Sequence, residues 1–94
     1  MKIIVLDGRR MTDRETAHLY LKRKLELPEY YGKNLDALYD CLCEMTGVQI
    51  IVTYVPEMKD NLRRYADNIL NVLEAAAEKN RKIDVITEEM VDEL

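Results

Sequence analysis

Three short β-branched runs, each separated from the next by two helix-patterned stretches, leave this chain few ways to fold. The runs are Lys2–Leu6, Val48–Val55 and Ile83–Thr87. The segments between them are too long for hairpins, and strands spaced by helices pair in parallel through crossovers. The order β-α-α-β-α-α-β predicts an α/β fold: a three-stranded parallel sheet packed by about four helices, in a single domain. At 94 residues the chain can bury about 60–70% of its unfolded surface, enough for one core. The first run reads as a strand buried on both faces, ended by Asp7-Gly8.

The helical stretches carry their own punctuation. Thr12 to Glu15 reads as a capping box opening a helix to about Leu25, with Ala17, Tyr20, Leu21 and Leu25 on its inner side. Lys22, Arg23 and Lys24 crowd its last turn, where cations suit the helix dipole. His18 is the single histidine, with a structural or solvated role expected. After the second strand, ended by Pro56, Glu57 to Asn61 can form a helical turn or more. Leu62 to Asn80 is strongly helical, with Leu62, Ala66, Ile69, Leu73 and Ala76 on one face and Tyr65, Leu70 and Val72 widening it. Asn80 can close that helix in a left-handed conformation. The fold is expected to occupy residues 1–87, followed by an acidic C-terminal tail at 88–94.

The stretch richest in chemistry is Leu27 to Leu42, LPEYYGKNLDALYDCL. Pro28 and Gly32 mark a loop, and Asn34 is a good N-cap for the helix that follows, which ends near Thr46-Gly47. Leu35, Leu38, Leu42 and Met45 form its apolar face. Asp36, Tyr39, Asp40 and Cys43 share the more exposed face. Asp36 and Asp40 are a like-charge pair one turn apart, which costs about 0.2–0.5 kcal/mol on an isolated helix. From Glu26 to Glu44 there are five carboxylates against the single Lys33. Such a run is commonly a solvated face. Interleaving with Tyr30, Tyr31 and Tyr39 instead suits a binding surface for a cationic partner. Tyr31 is expected to pack inside; Tyr39 can either face a partner or pack against the last helix.

The net charge of −4 disfavours nucleic acid and anionic membranes as partners. No apolar run approaches the ~18 residues of a membrane span, and the opening residues are too short for a signal peptide, so a cytoplasmic chain is expected. Cys41 and Cys43 lie two apart and cannot pair on a helix; both read as reduced thiols, Cys41 the more buried. The glycines are isolated, so there is no phosphate loop. His18 has no nucleophile partner, and an exposed convex face offers no cleft in which to raise a carboxyl pKa, so an enzyme is not expected. Asp36 and Asp40 could share a hard cation only weakly. No cofactor and no metal are expected.

Residues 27–42 resemble the signature of the barstar family, intracellular protein inhibitors of barnase-like ribonucleases. The I-L-x-V-L stretch at Ile69 to Leu73 and the order of elements fit as well, so the resemblance covers nearly the whole chain. It implies an inhibitor, an immunity protein in effect, that is monomeric when free and binds a basic ribonuclease one-to-one. The binding positions it implies are Tyr30, Gly32, Asn34, Asp36, Tyr39 and Asp40. Asp40 would be the central anchor, standing where an RNA phosphate sits among the enzyme's arginines and histidine. Asp36 would meet a second basic group, and Tyr30 would stack on the active-site histidine. Gly32 would let the loop approach closely, while Asn34 caps the helix and supports the loop. The chain departs from the family at Tyr39, where a tryptophan is usual, in the short Met45-Thr46-Gly47 turn, and at Ala75, which aligns with a peripheral glutamate. Those departures leave open an alternative, a module of the same fold regulating another basic protein or toxin.

Overall fold

A computed structural model describes residues 1–88. In chain order it contains β1 (Lys2–Asp7), a single 3-10 turn (Gly8–Arg10), α1 (Arg14–Leu25), α2 (Leu35–Cys43), β2 (Val48–Thr53), α3 (Val55–Leu62), α4 (Arg64–Lys79) and β3 (Ile83–Thr87). The strands form one sheet in the order β1-β2-β3, all parallel, with Ile4 beside Ile50 and Ile50 beside Val85. This is the expected three-stranded sheet with four helices. The acidic tail expected at 88–94 lies, beyond Glu88, outside the described residues.

Side chains alternate across the sheet. Ile4, Leu6, Val48, Ile50, Val52 and Ile83 are buried, together with Leu21, Leu38, Leu42, Ile69 and Leu73 from the helices. The opposite row carries Ile3 at 60% exposure, Val5 at 43% and Ile86 at 45%. β1 is therefore covered on one face only, not on both as its continuous apolar run suggested. The run cannot reveal this, because apolar residues stand on both rows while the core lies against one.

Several boundaries move for identifiable reasons. Asp13, not Thr12, caps α1: its carboxylate accepts from the Thr16 N–H at 2.8 Å, and a charged acceptor suits the positive helix end. β2 stops at Thr53 because Tyr54 turns left-handed, with φ 54°. Pro56 does not end the strand; it lies in the first turn of α3, where its missing N–H costs nothing. Arg63, at φ 57° and ψ −131°, breaks α3 from α4. Asn80 closes α4 in an extended conformation, not a left-handed one. Its side-chain amide donates to the Leu42 and Met45 carbonyls at 3.0 and 2.8 Å, so it caps the end of α2 from a neighbouring chain segment.

Candidate functional site

The loop between α1 and α2 is shaped by what it buries. Glu26 ends α1 in a left-handed conformation, and the Leu27 N–H bonds back to the Lys22 carbonyl at 2.9 Å. Leu27 then drops into the core. The Tyr31 N–H donates to the Pro28 carbonyl at 3.0 Å, closing a turn with Glu29 and Tyr30 at its centre. Tyr31 points inward at 4% exposure and Tyr30 outward at 84%. Lys22 reaches across from α1 to Glu29 at 3.2 Å.

Lys33, with φ 59°, turns the chain into α2. Asn34 is the N-cap the sequence predicts: its Oδ1 accepts from the Ala37 N–H at 2.8 Å. Its Nδ2 donates to the Gly32 carbonyl at 3.3 Å, joining loop to helix. A Cβ on Gly32 would lie 3.2 Å from that Nδ2 and 3.4 Å from the Ala37 Cβ, so the bare glycine keeps this corner uncrowded. The left-handed residue at the corner is Lys33, which nothing in the local sequence announces.

On α2, Asp36 and Asp40 are exposed, and among the described residues neither makes an ion pair. Tyr39 is half-buried between them and α4. A side-chain hydrogen bond to Cys43, then desolvation and the nearby Asp40 charge, hold the Tyr39 phenol above its usual range. Cys41 and Cys43 are both free and both half-buried. Desolvation, with Glu44 and Asp40 close by, pushes the Cys41 thiol up, keeping it protonated.

The face is not simply convex. α2 packs on α4, and the seam opens into a groove of about 570 Å³ lined by Leu35, Asp36, Tyr39, Asp40, Asn71, Val72 and Ala75. Tyr39 thus both packs against α4 and borders the open surface. The structure brings Asp36, Tyr39 and Asp40 to one groove, with Gly32 and Asn34 at the helix start and Tyr30 on the turn before it. Sequence reading missed Asn71 and the groove role of Leu35 and Val72. Val72 was signalled by the widened apolar face of α4; Asn71 and the groove role of Leu35 had no signal.

Among the described residues, no group of three or more His, Cys, Asp or Glu is placed to hold a metal ion. No helix of the described residues is long and apolar enough to cross a membrane. An open groove whose two carboxylates stand in solvent suits recognition of cations better than acid–base chemistry, which needs a carboxyl enclosed in apolar surroundings.

The match to known proteins agrees with this architecture. A Bacillus subtilis (strain 168) protein named "Putative ribonuclease inhibitor YrdF" is 40% identical over 81 residues, covering 84% of this chain and 89% of that protein. The model of the barstar (barnase inhibitor) family matches residues 1–88, the whole of the described fold, and the chain belongs to that family.

Proposed function

We propose that this protein is a one-to-one inhibitor of a basic ribonuclease, and that Tyr30, Gly32, Asn34, Asp36, Tyr39 and Asp40 form its contact surface. Family membership and the inhibitor-named relative support the ribonuclease as target. The observation that carries the choice of surface is the pair Asp36 and Asp40, exposed and without ion-pair partners among the described residues, on a helix capped at its first turn.

A nuclease cleft is cationic because it holds RNA backbone. Carboxylates fixed on a helix offer its arginines the same bidentate acceptor geometry as phosphate, without a bond to cleave. Preorganisation matters as much as charge. The Asn34 cap and the buried Leu27 and Tyr31 fix the loop before docking, so little ordering entropy remains to be lost. Tyr30 then offers a ring already aimed at solvent. The like-charge cost of Asp36 beside Asp40 becomes a local rule broken for binding.

The test is titration of the protein into a barnase-type ribonuclease while RNA cleavage is followed. Loss of activity at a one-to-one ratio, relieved by competing RNA, is the expected result. No inhibition by any excess would turn the search to other basic proteins. Ala75 and Tyr39, which both border the groove, are the first places where a changed target would show.

A further inference from the structure

His18 is the one buried polar or charged residue among those described, at 2% exposure. Its ring is bonded at both nitrogens: Nδ1 lies 2.6 Å from the Tyr31 hydroxyl and Nε2 lies 2.7 Å from the Tyr65 hydroxyl. Tyr31 belongs to the loop before α2 and Tyr65 to the first turn of α4, so one imidazole on α1 stitches three segments together. Beside it a cavity of about 370 Å³ is lined by Arg14, Glu15, His18, Lys33, Asn34 and Tyr65, which gives water a route to the ring.

The proton positions follow from what each group can bond. Tyr31 is buried, and among the described residues its hydroxyl has His18 as its hydrogen-bond partner. Tyr31 therefore donates to Nδ1, and Nε2–H donates to Tyr65, whose own proton can go to water in the cavity. A further proton on Nδ1 would convert that nitrogen from acceptor to donor. Tyr31 would then lose its acceptor, since its hydroxyl has no second hydrogen-bond partner among the described residues, and a buried unsatisfied donor is costly. Tyr31 lies between Tyr30 and Gly32, so losing its tether moves both.

We propose that His18 is a positioning residue for the target-binding loop, holding Tyr31 in place while neutral and releasing it when protonated. The inference rests on the inhibitor reading of that loop. Charged and titratable groups line the cavity beside the ring. Arg14 and Glu15 face it from α1, Lys33 from the loop and Tyr65 from α4, with Arg14 stacked 4.3 Å over the Tyr65 ring; Cys41 of α2 lies close to Tyr31. That is two cations against one carboxylate. Burial holds the His18 pKa below the ordinary 6.5. The unfolded chain then takes up the proton first as pH falls. The tether's contribution is fully present above pH 6.5 and is lost below it, toward the lower folded-state value.

The experiment uses two readouts across the range from about pH 7.5 to about pH 5.5, where an imidazole titrates. In the free protein, amide exchange at Tyr31 and Gly32 is compared with the NMR titration of His18, unambiguous because it is the single histidine. With a barnase-type ribonuclease, the dissociation rate is measured for the natural protein, His18→Gln and Tyr31→Phe against the same enzyme, so that the enzyme's own titration cancels. Expected is an acid acceleration of dissociation about tenfold larger in the natural protein than in either variant, one pKa unit of coupling. Loop exchange should follow the His18 titration in the natural protein alone. Tyr31→Phe removes one hydroxyl and keeps the ring, so it remains informative should His18→Gln fold poorly. Exchange that follows His18 while no ribonuclease is inhibited at any pH upholds the tether and counts against the inhibitor reading. Parallel exchange profiles in the natural protein and in Tyr31→Phe overturn the inference.

Discussion

Two junctions in this fold enter helices through left-handed residues, and they are held by different means. The loop into α2 turns at Lys33 and is fixed by side chains: the Asn34 cap, the Tyr31–His18 bond and the Lys22–Glu29 pair. The junction from β2 through α3 to α4 turns at Tyr54 and Arg63, and neither helix start has a side-chain cap. It is held instead by close backbone packing on Gly8 and by Arg9, whose guanidinium bonds Asp7 at 2.9 Å and lies 3.8 Å over the Tyr54 ring. Backbone packing on Gly8, with Arg9 laid over Tyr54, secures a junction outside the proposed contact surface. Side-chain tethers secure one that must hold exposed groups in fixed positions, because they fix the chain from below and leave its outer atoms free.

The sharpest way to separate the two is to remove an outer group at the first junction and a packing constraint at the second. Asp40→Ala should weaken ribonuclease inhibition by about 2–4 kcal/mol, as the centre of a charged interface does; the barnase–barstar pair is among the systems behind that rule. Stability should stay level or rise by about 0.2–0.5 kcal/mol as repulsion from Asp36 is relieved. Equal inhibition by both proteins would remove Asp40 from the contact surface. Gly8→Ala should do the reverse. A Cβ there would run into the Tyr54 carbonyl and lie 2.8 Å from that of Thr53. Overpacking against backbone predicts a loss of about 2–3 kcal/mol in urea unfolding, with inhibition by the folded fraction unchanged. An unaltered unfolding midpoint would show that the second junction is not held by packing.

The sequence made the local parts of this picture legible and left the rest hidden. Asn34 as cap, and Asp36 and Asp40 outward, are consequences of helix periodicity and capping chemistry, which act within a few residues. Ile83–Thr87 matches its strand to the residue. What escaped depends on distant partners. The groove needs α2 to lie on α4. Asn80 spends its side chain on carbonyls 38 and 35 residues earlier, which is why it has no need of the left-handed turn. His18 meets hydroxyls 13 and 47 residues away. Glu26, Lys33, Tyr54 and Arg63 take positive φ without being glycine, so those corners carry no mark in the residue types, whereas the corner at Gly47 does. Asp13 displaced Thr12 by one residue, within the ordinary uncertainty of helix ends.

Asn34→Ala sharpens the comparison from the side of the loop. Loss of an N-cap side chain costs about 1 kcal/mol. Here it also cuts the bond from Nδ2 to the Gly32 carbonyl, so the loss should appear twice. Thermal unfolding should show the lower stability, and amide exchange at Gly32 and Lys33 should quicken by more than the global change requires. A uniform change across the chain would mean that the cap stabilises α2 without fixing the loop.

Arg63→Gly probes the other side with the smallest expected effect and the opposite sign. At φ 57° and ψ −131°, Arg63 occupies a region natural to glycine and strained for a residue with a Cβ. Such strain costs about 1–3 kcal/mol, while glycine's extra freedom in the unfolded chain costs about 0.5–1 kcal/mol. The Arg63 side chain is exposed and makes no ion pair among the described residues, so its removal forfeits little. The backbone bond from its N–H to the Lys59 carbonyl, 2.8 Å long, is kept. With the strain taken near the low end of that range, the balance is a gain of about 0.5 kcal/mol in urea unfolding. Inhibition should not change, because this junction lies outside the proposed contact surface. A loss of stability instead would mean that the arginine side chain holds the α3–α4 break, and the contrast between a side-chain-tethered loop and a backbone-packed junction would fail at the place where it is most exposed to test.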